Sequence, residues 1–370
     1  MIRFVKRFKD VYQNEGFSTA VFKTVKNLKI RSKRKLTLNK RSYNNWANLK
    51  DAYKDKRVFL IGNGPSLNKT PLYLLQNEYT MCFNRFNMMY ERLAWRPSFY
   101  MCVDALVAED MAAEINEIVK EVDLAFFPDI HTEGLDFRIF IKDRNNVQWL
   151  FPEFKDFYLD LPKIALGGTV AYPALQVLIY LGFSEIYLIG VDMNYQIHTT
   201  VKNIKERDVT SIKDDDPNHF DPRYFGKDRK YHQPVKATQD NMMSSIEYAA
   251  KQISTRSHVK VYNAGINSNV NCFERVRFED LFSFAKQEKF QLLSKSINQL
   301  WEYKSAEELF SVIPYITEKK DTSGKSYFVC NVEDGSSWIK ELIFEFIPYG
   351  PYEDKMIFIA RNNPLIKNQC

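Results

Sequence analysis

Val58-Phe59-Leu60-Ile61-Gly62-Asn63-Gly64-Pro65-Ser66 is the stretch on which the fold turns. An apolar run breaks abruptly into a glycine-rich polar turn. Four other runs end in the same way. Thr80-Met81-Cys82-Phe83 ends at Asn84, Phe99–Val103 at Asp104, Ile186–Ile189 at Gly190-Val191-Asp192, and Val259–Tyr262 at Asn263. Short continuous apolar runs bounded by turn residues read as strands buried on both faces. Leu124–Phe127, ended by Pro128, reads as a sixth. Helical patterns such as Ala108–Val122 and Val170–Leu181 alternate with these strands, and Thr238–Ile253 follows as a further helix. That alternation predicts an α/β fold with a Rossmann-like, mostly parallel sheet and helices on both faces. A single strand ending on Asn or Asp is ordinary turn chemistry. Five with their ends on one sheet edge build a polar crevice where open parallel sheets bind ligands, and predict an enzyme with a nucleotide-like substrate.

Within Gly62-Asn63-Gly64-Pro65-Ser66, glycines let backbone N–H groups approach a phosphate, and Thr70-Pro71 reads as the start of a helix. Position 67 is Leu, so this is neither the dinucleotide fingerprint nor a P-loop, and a plain tight turn is the competing reading. Gly167-Gly168-Thr169 opens the helix before the Ile186 strand. It suits either an anionic ligand or close helix–strand packing. Between Asn194 and Pro234 the strand–helix pattern fails, as in lids and disordered loops. The stretch holds His219, Tyr224 and His232 among aromatic and Arg residues. Imidazole titrates near neutrality and serves as a general base or steadies a leaving phosphate. Asp214-Asp215-Asp216 raises metal binding as the competing idea, but acids before a proline read as a solvated loop. Ser323-Gly324-Lys325-Ser326 imitates a P-loop end without its first glycine. Asp192-Met193-Asn194 lacks the second acid of a metal-binding Asp-x-Asp.

The chain has 370 residues, 45% of them hydrophobic, enough for a large core. Its apolar stretches fall short of the ~20 residues of a membrane span. The basic start is not followed by an apolar signal-peptide region, so no leader is expected. The five cysteines, Cys82, Cys102, Cys272, Cys330 and Cys370, include no CxxC pair, which fits a reduced, cytosolic protein without structural zinc. Residues 1–41 hold 13 Lys/Arg and two acids, a charge of +11 that leaves −5 of the net +6 for the rest. Phe4, Phe8 and Val11, then Phe17, Val21 and Val25, fall at helical spacing among the lysines. Such helices lie on an anionic membrane surface or pack as a solvated hairpin on the body. No nucleic-acid module is present. Three regions follow: a basic helical arm and linker over 1–56, with Trp46–Lys56 as a linking helix; an α/β body over 57–285; and a small α+β module over 286–370. In that module Leu292–Phe310 reads helical, and Ser326–Val332, Leu342–Ile347 and Lys355–Ala360 read as antiparallel strands.

Val58–Leu67, Cys82–Phe86, Pro97–Asp104 and Gly168–Tyr195 together resemble the MptE-like family and its relatives, the bacterial sialyltransferases of glycosyltransferase family 42. The block Leu181–Asp192 is the most specific part, and the likeness runs from about Arg57 to Asn271. The resemblance implies an inverting, metal-independent transferase with no cofactor, using a CMP-activated acidic sugar such as sialic acid or Kdo. Asn63, Gly64 and Ser66, with Pro65 in the same turn, would line the phosphate and ribose. Asn84 matches an asparagine that contacts the donor nucleotide, and Asp104 stands where those sialyltransferases carry an asparagine. Gly168 and Thr169 match a nucleotide-contacting turn, and Asp192 closes the specific block on the donor side. His232 is the counterpart of a catalytic lid histidine, and His219 of a nearby histidine that is not the base. Tyr195 and Tyr224 stand for lid tyrosines that hydrogen-bond the phosphate.

The expected partners are therefore the CMP-sugar donor, a glycan or glycolipid acceptor of a bacterial surface polysaccharide, and an anionic membrane met through residues 1–41. A homo-oligomer is compatible with the family. The expected location is cytoplasmic, on the inner face of the cytoplasmic membrane. Two other functions compete: a pterin diphosphokinase using ATP and Mg²⁺, from the other branch of the resemblance, and a non-catalytic glycan-binding protein.

Overall fold

Every apolar run that ends on a polar residue is a strand of one sheet. A computed structural model describes residues 12–13, 16–37, 40–93, 95–132, 134–153, 156–205 and 208–282, and the segments 316–320, 326–331, 341–349 and 352–361. The quoted runs become β1 (Arg57–Ile61), β2 (Tyr79–Phe83), β3 (Phe99–Met101), β4 (Leu124–Pro128), β7 (Glu185–Ile189) and β11 (Lys260–Asn263). With β5 (Val147–Pro152), β6 (Lys163–Ile164) and β12 (Glu274–Arg275) they form a nine-stranded sheet ordered β12-β11-β7-β1-β2-β3-β4-β5-β6. All its pairings are parallel. The fold is thus α/β and Rossmann-like, as the alternating pattern predicts.

The sheet is buried on both sides because its side chains alternate between two apolar layers. Phe59, Ile61, Cys82, Tyr100, Tyr187 and Ile189 enter one layer. Val58, Leu60, Met81, Phe83, Phe99, Ile186 and Leu188 enter the other. The second layer is closed by α5 (Ala171–Tyr180) and α6 (Lys236–Arg256) through Leu175, Leu178, Ile246 and Ile253. The first is closed by α4 (Ala112–Ile118) and by 3-10 turns carrying Leu72, Leu75, Phe86 and Met89. Full burial of each large apolar side chain contributes about 1.5–3 kcal/mol. Cys82 and Cys102 are free and buried, and Cys272 is free and exposed.

Several elements differ from expectation. The helical pattern of Ala108–Val122 starts earlier, because Asp104 caps α3 (Ala105–Asp110), and it breaks at Met111 (φ −102°, ψ 10°) before α4. Thr70-Pro71 leads only into a 3-10 turn, Leu72–Leu75. The linking helix lies at α2 (Lys40–Leu49), not at Trp46–Lys56. Residues 50–55 are turns, with Asp51 and Asp55 at φ 57° and 60°. There the Asp51 and Tyr53 N–H groups donate to Tyr180 and Leu181 carbonyls at the end of α5, a use of the backbone that a helix forbids. Trp46 still anchors α2: it is 1% exposed, and its indole N–H donates to the Trp149 carbonyl. The stretch 194–234 contains β8 (Val201–Lys205), β9 (Asp208–Ser211) and β10 (Lys230–His232) in an antiparallel sheet.

Ahead of α2 runs α1 (Phe17–Thr37). A second antiparallel sheet, β13 (Ile316–Lys320), β14 (Ser326–Asn331), β15 (Glu341–Tyr349) and β16 (Tyr352–Arg361), holds the three expected C-terminal strands and one more. The expected helix at Leu292–Phe310, and Phe4, Phe8 and Val11, lie outside the described residues. Among the described residues no helix is long and apolar enough to cross a membrane.

Candidate functional site

The chain leaves β1 toward β2 on one side and returns to β7 on the other, so strand order reverses at β1. A crevice opens outside the carboxyl ends of strands at such a point. Two backbone bonds fasten the Gly62–Ser66 turn to the end of β7, from Gly62 N–H to the Ile189 carbonyl (2.8 Å) and from Gly64 N–H to the Gly190 carbonyl (2.9 Å). Both glycines are needed for this approach. A Cβ on Gly62 would stand 2.3 Å from the Gly190 oxygen, and one on Gly64 2.3 Å from Asp192 Oδ2. Asp192 completes the brace: Ser66 donates its N–H to Oδ2 (3.0 Å) and its hydroxyl to Oδ1 (2.5 Å). Burial pushes the Asp192 carboxyl up, against the Ser66 hydrogen bonds.

Asn63, Gly64, Pro65, Asn84, Thr169, Asp192, Tyr195, His219 and Tyr224 line a cavity of about 110 Å³ at this crevice. Asn63 donates its amide to the Phe83 carbonyl (3.1 Å) and the Tyr224 hydroxyl (2.9 Å), leaving a buried Oδ1 without a protein partner. Asn84 presents a second such oxygen and sits at φ 47°, a strained conformation that asparagine tolerates. The neighbouring cavity, about 580 Å³, is lined by Asp104, Gly168, His131, Asp216, His232 and Asn241, among others. The two meet along Asn84, Thr169, Tyr195, Asn218 and His219. No lysine or arginine among the described residues lines either cavity.

Each sequence-predicted residue except Ser66 thus faces one of these two spaces, and Ser66 lies behind the wall as the partner of Asp192. Asp104 caps α3, accepting from the Leu106 and Val107 N–H groups at 2.9 and 3.0 Å. Gly168 has φ 78°, and a Cβ there would meet the Asn241 amide at 2.5 Å. The phenol of Tyr195 is pushed up to about 12 by burial, so it remains a donor across the physiological range.

The region between Asn194 and Pro234 is pinned over the crevice rather than loose. Phe220 donates its N–H to the Asn63 carbonyl (2.9 Å), and Asn68 donates to the Phe220 carbonyl (2.9 Å). His219 stacks on Tyr224 with ring centroids 3.8 Å apart, and its Nδ1 lies 2.8 Å from Asp216 Oδ2. Asp216 is buried and also accepts from the Asn218 and Phe225 N–H groups. Burial alone would raise its pKa, but the His219 charge and these hydrogen bonds bring it below the usual value. The reading of 214–216 as a solvated loop holds for the exposed Asp214 and Asp215 and is corrected for Asp216, which turns inward; Asp215 accepts from Thr200 and faces His198 Nε2 at 2.8 Å. His232 stands across the β9–β10 ladder from Asp208, with Nδ1 2.5 Å from its Oδ1. An ionised carboxylate only accepts, so each Nδ1 carries the proton and each Nε2 is left as the basic nitrogen. His198 is different. Both of its nitrogens are engaged, with Tyr231, Asp215 and Thr200, in a buried structural cluster.

Sequence reading missed the two orienting acids, Asp208 and Asp216, and His131, Thr132 and Asn241 in the cavity wall. A signal for His131 existed, since it follows the end of the expected strand Leu124–Phe127 as the other site residues follow theirs.

A family model described as 6-hydroxymethylpterin diphosphokinase MptE-like matches residues 34–198. The match begins inside the basic arm, spans β1 to β7, and stops ahead of His219 and His232. The structure of the MAf glycosyltransferase from Magnetospirillum magneticum AMB-1 aligns with a TM-score of 0.39 at 16% identity, over 71% of this chain and 46% of that one, so the alignment takes in about half of that protein's length. No curated protein matches. Over residues 34–198, holding the Gly62–Ser66 turn and the Leu181–Asp192 block, the chain is similar to the MptE-like family, as those two motifs indicate.

Proposed function

We propose that the protein is a glycosyltransferase that moves an acidic sugar, such as sialic acid or Kdo, from a CMP donor to a glycan acceptor with inversion. The observation that carries this reading is the pair of adjoining cavities: a small one at the strand switch and a larger one bearing a carboxylate-held histidine, with neither lined by Lys or Arg among the described residues. A nucleoside monophosphate leaving group brings less charge than a di- or triphosphate and asks for fewer cationic partners. The small cavity takes the nucleotide, with Asn63 and Asn84 offering their unpartnered oxygens to its hydroxyl or amino groups. The larger cavity takes the acceptor. His232, which lines only that cavity, draws the proton from the acceptor hydroxyl onto Nε2, while Asp208 fixes the tautomer and steadies the imidazolium. The acceptor oxygen attacks the anomeric carbon, and CMP leaves with the bonding electrons. Tyr195, where the cavities meet, donates its hydroxyl to the departing phosphate. A positioned base contributes about 10²–10⁴-fold.

The match to a diphosphokinase-like family supports a second reading, diphosphate transfer from ATP with Mg²⁺. The lining residues fit that less well. A triphosphate calls for cationic side chains or a metal. Asp104, Asp192 and Asp216 already accept hydrogen bonds from their own surroundings. Among the described residues no three His, Cys, Asp or Glu side chains converge as a metal site. No step is derived through Mg²⁺.

Thermal shift against CMP and ATP, each with EDTA or Mg²⁺, separates the two, because a ligand of the native state raises Tm by mass action. CMP stabilisation in EDTA is expected. His232→Ala should keep that shift and lose turnover of the CMP-sugar by ~10²–10⁴-fold. Stabilisation by ATP only with Mg²⁺ favours the second reading, and undiminished turnover in His232→Ala removes this residue as the base.

A further inference from the structure

Helix α1 carries its apolar stripe on the side turned to solvent. Val21, Val25 and Leu28 recur at helical spacing with Phe22 beside them, and their exposures are 39%, 44%, 49% and 68%. The helix is nonetheless fixed to the body by its other face. Arg34 lies two and a half turns beyond Val25, about 180° round the helix. Its guanidinium is buried and grips Asp129 with two bonds, Nε to Oδ2 at 2.6 Å and Nη2 to Oδ1 at 2.8 Å, over the Phe151 ring. Lys26 lies alongside Gly134, since a Cβ there would be 3.5 Å from Lys26 Cε. A hairpin packed by its hydrophobic face would show the reverse arrangement, with valines inside and arginine outside.

We infer that α1 is a docking surface for an anionic lipid bilayer, lying in the interface with Val21, Phe22, Val25 and Leu28 inserted. Charge chooses this occupant. Residues 1–41 hold 13 basic and two acidic side chains, and the rest of the chain is net negative. A helix in the headgroup plane needs apolar insertion and basic flanks but no matching partner shape. Each Lys or Arg near an anionic surface strengthens binding by roughly fivefold, within a Debye length. The Arg34–Asp129 clasp makes the docking directional, because a helix held at that end carries the body in a set orientation to the membrane plane. This proposal does not depend on which nucleotide the crevice takes.

The test is flotation of the full-length protein with phosphatidylcholine vesicles with and without phosphatidylglycerol, at low and high salt. Binding is expected only with phosphatidylglycerol, and is released by salt. The triple substitution Val21→Ser, Val25→Ser and Leu28→Ser should lower the partition coefficient by about tenfold or more, and Lys26→Glu with Lys29→Glu by a similar factor. These side chains are not in the core, so Tm and the CMP shift should stay at wild-type values. Phe22→Ser alone serves should the triple variant fail to fold. Wild-type protein that ignores anionic vesicles overturns the proposal, and so does a stripe variant that binds them equally well. Concentration-dependent association in sedimentation velocity that the stripe substitutions abolish, without vesicle binding, would instead make this face a contact between copies of the chain.

Discussion

Asp192 shows how a residue can line a ligand crevice and still work mainly through its neighbours. Both carboxylate oxygens hold Ser66, and the Gly64 backbone lies so close that only glycine fits. Its chief effect is to brace the Gly62–Ser66 turn that forms one wall of the crevice. Its titration is testable. Burial holds its pKa above the ordinary value, so the folded state takes up the proton more readily than the unfolded chain. The stability this group supplies is full below the unfolded value and is lost as pH rises through the folded one. Asn does not titrate. Asp192→Asn should therefore gain stability relative to wild type as pH rises from about 4 to about 7, on top of a constant offset from the altered hydrogen bond. Urea denaturation at the two pH values measures this, and a difference that is flat or reversed with pH would show that the carboxylate is not penalised by burial. The strand ends made the glycines, Asn63, Asn84 and Asp192 legible as site residues, because position alone implicates them. The hydrogen bonds that turn Asp192 into a brace come from a loop more than a hundred residues away, and no local pattern carries them.

At the scale of elements, the lid is the part that sequence reading could least describe. β8 and β9 are short and rich in lysine, threonine and asparagine, without the apolar runs that betrayed the central strands. β5 was missed because polar Gln148 interrupts its run, although Gln148 is buried. The lid is held by ion pairs between distant segments. Asp221, fully buried, bonds Arg223 at 2.8 Å and faces Arg92 at 3.4 Å, while Arg92 also donates to Asn68 beside the glycine turn. A second clamp joins Arg85 and Arg229 to the same two acids, Asp110 and Glu114. Truncating one partner of a buried pair leaves the other charge uncompensated, a loss of about 3–5 kcal/mol unless the segment opens instead. Asp221→Ala should therefore free the lid, with faster amide exchange over 218–226 than in wild type and a smaller thermal shift with CMP, since Tyr224 and His219 leave the crevice with it. Exchange rates equal to wild type would mean that aromatic stacking of His219, Tyr224 and Phe225, not the ion pair, keeps the lid closed.

For the whole molecule, the doubly wound sheet was legible because both faces of each strand are buried, and a strand of that kind is written in consecutive residues. How the basic arm meets the body was not legible. Helical periodicity in residues 17–37 marks an apolar stripe but does not say which way it faces, and the answer lies in one pair, Arg34 and Asp129, 95 residues apart. Asp129 is fully buried just after β4, where its carboxylate also accepts from the Ile130 N–H. Arg34→Ala would strand that carboxylate, at about 3–5 kcal/mol, or about 6–20 °C in Tm for a body of this size. Arg34→Lys should fall between, because a point charge cannot reproduce the two-bond fork. Asp129→Asn combined with Arg34→Met removes both charges and should recover much of the loss, which distinguishes a buried charge left alone from a simple loss of contact. The melting temperatures of the three variants decide the matter. If Arg34→Ala melts with wild type, the helix and the body do not share this pair in solution, and the outward turn of the Val21–Leu28 stripe loses its anchor as well.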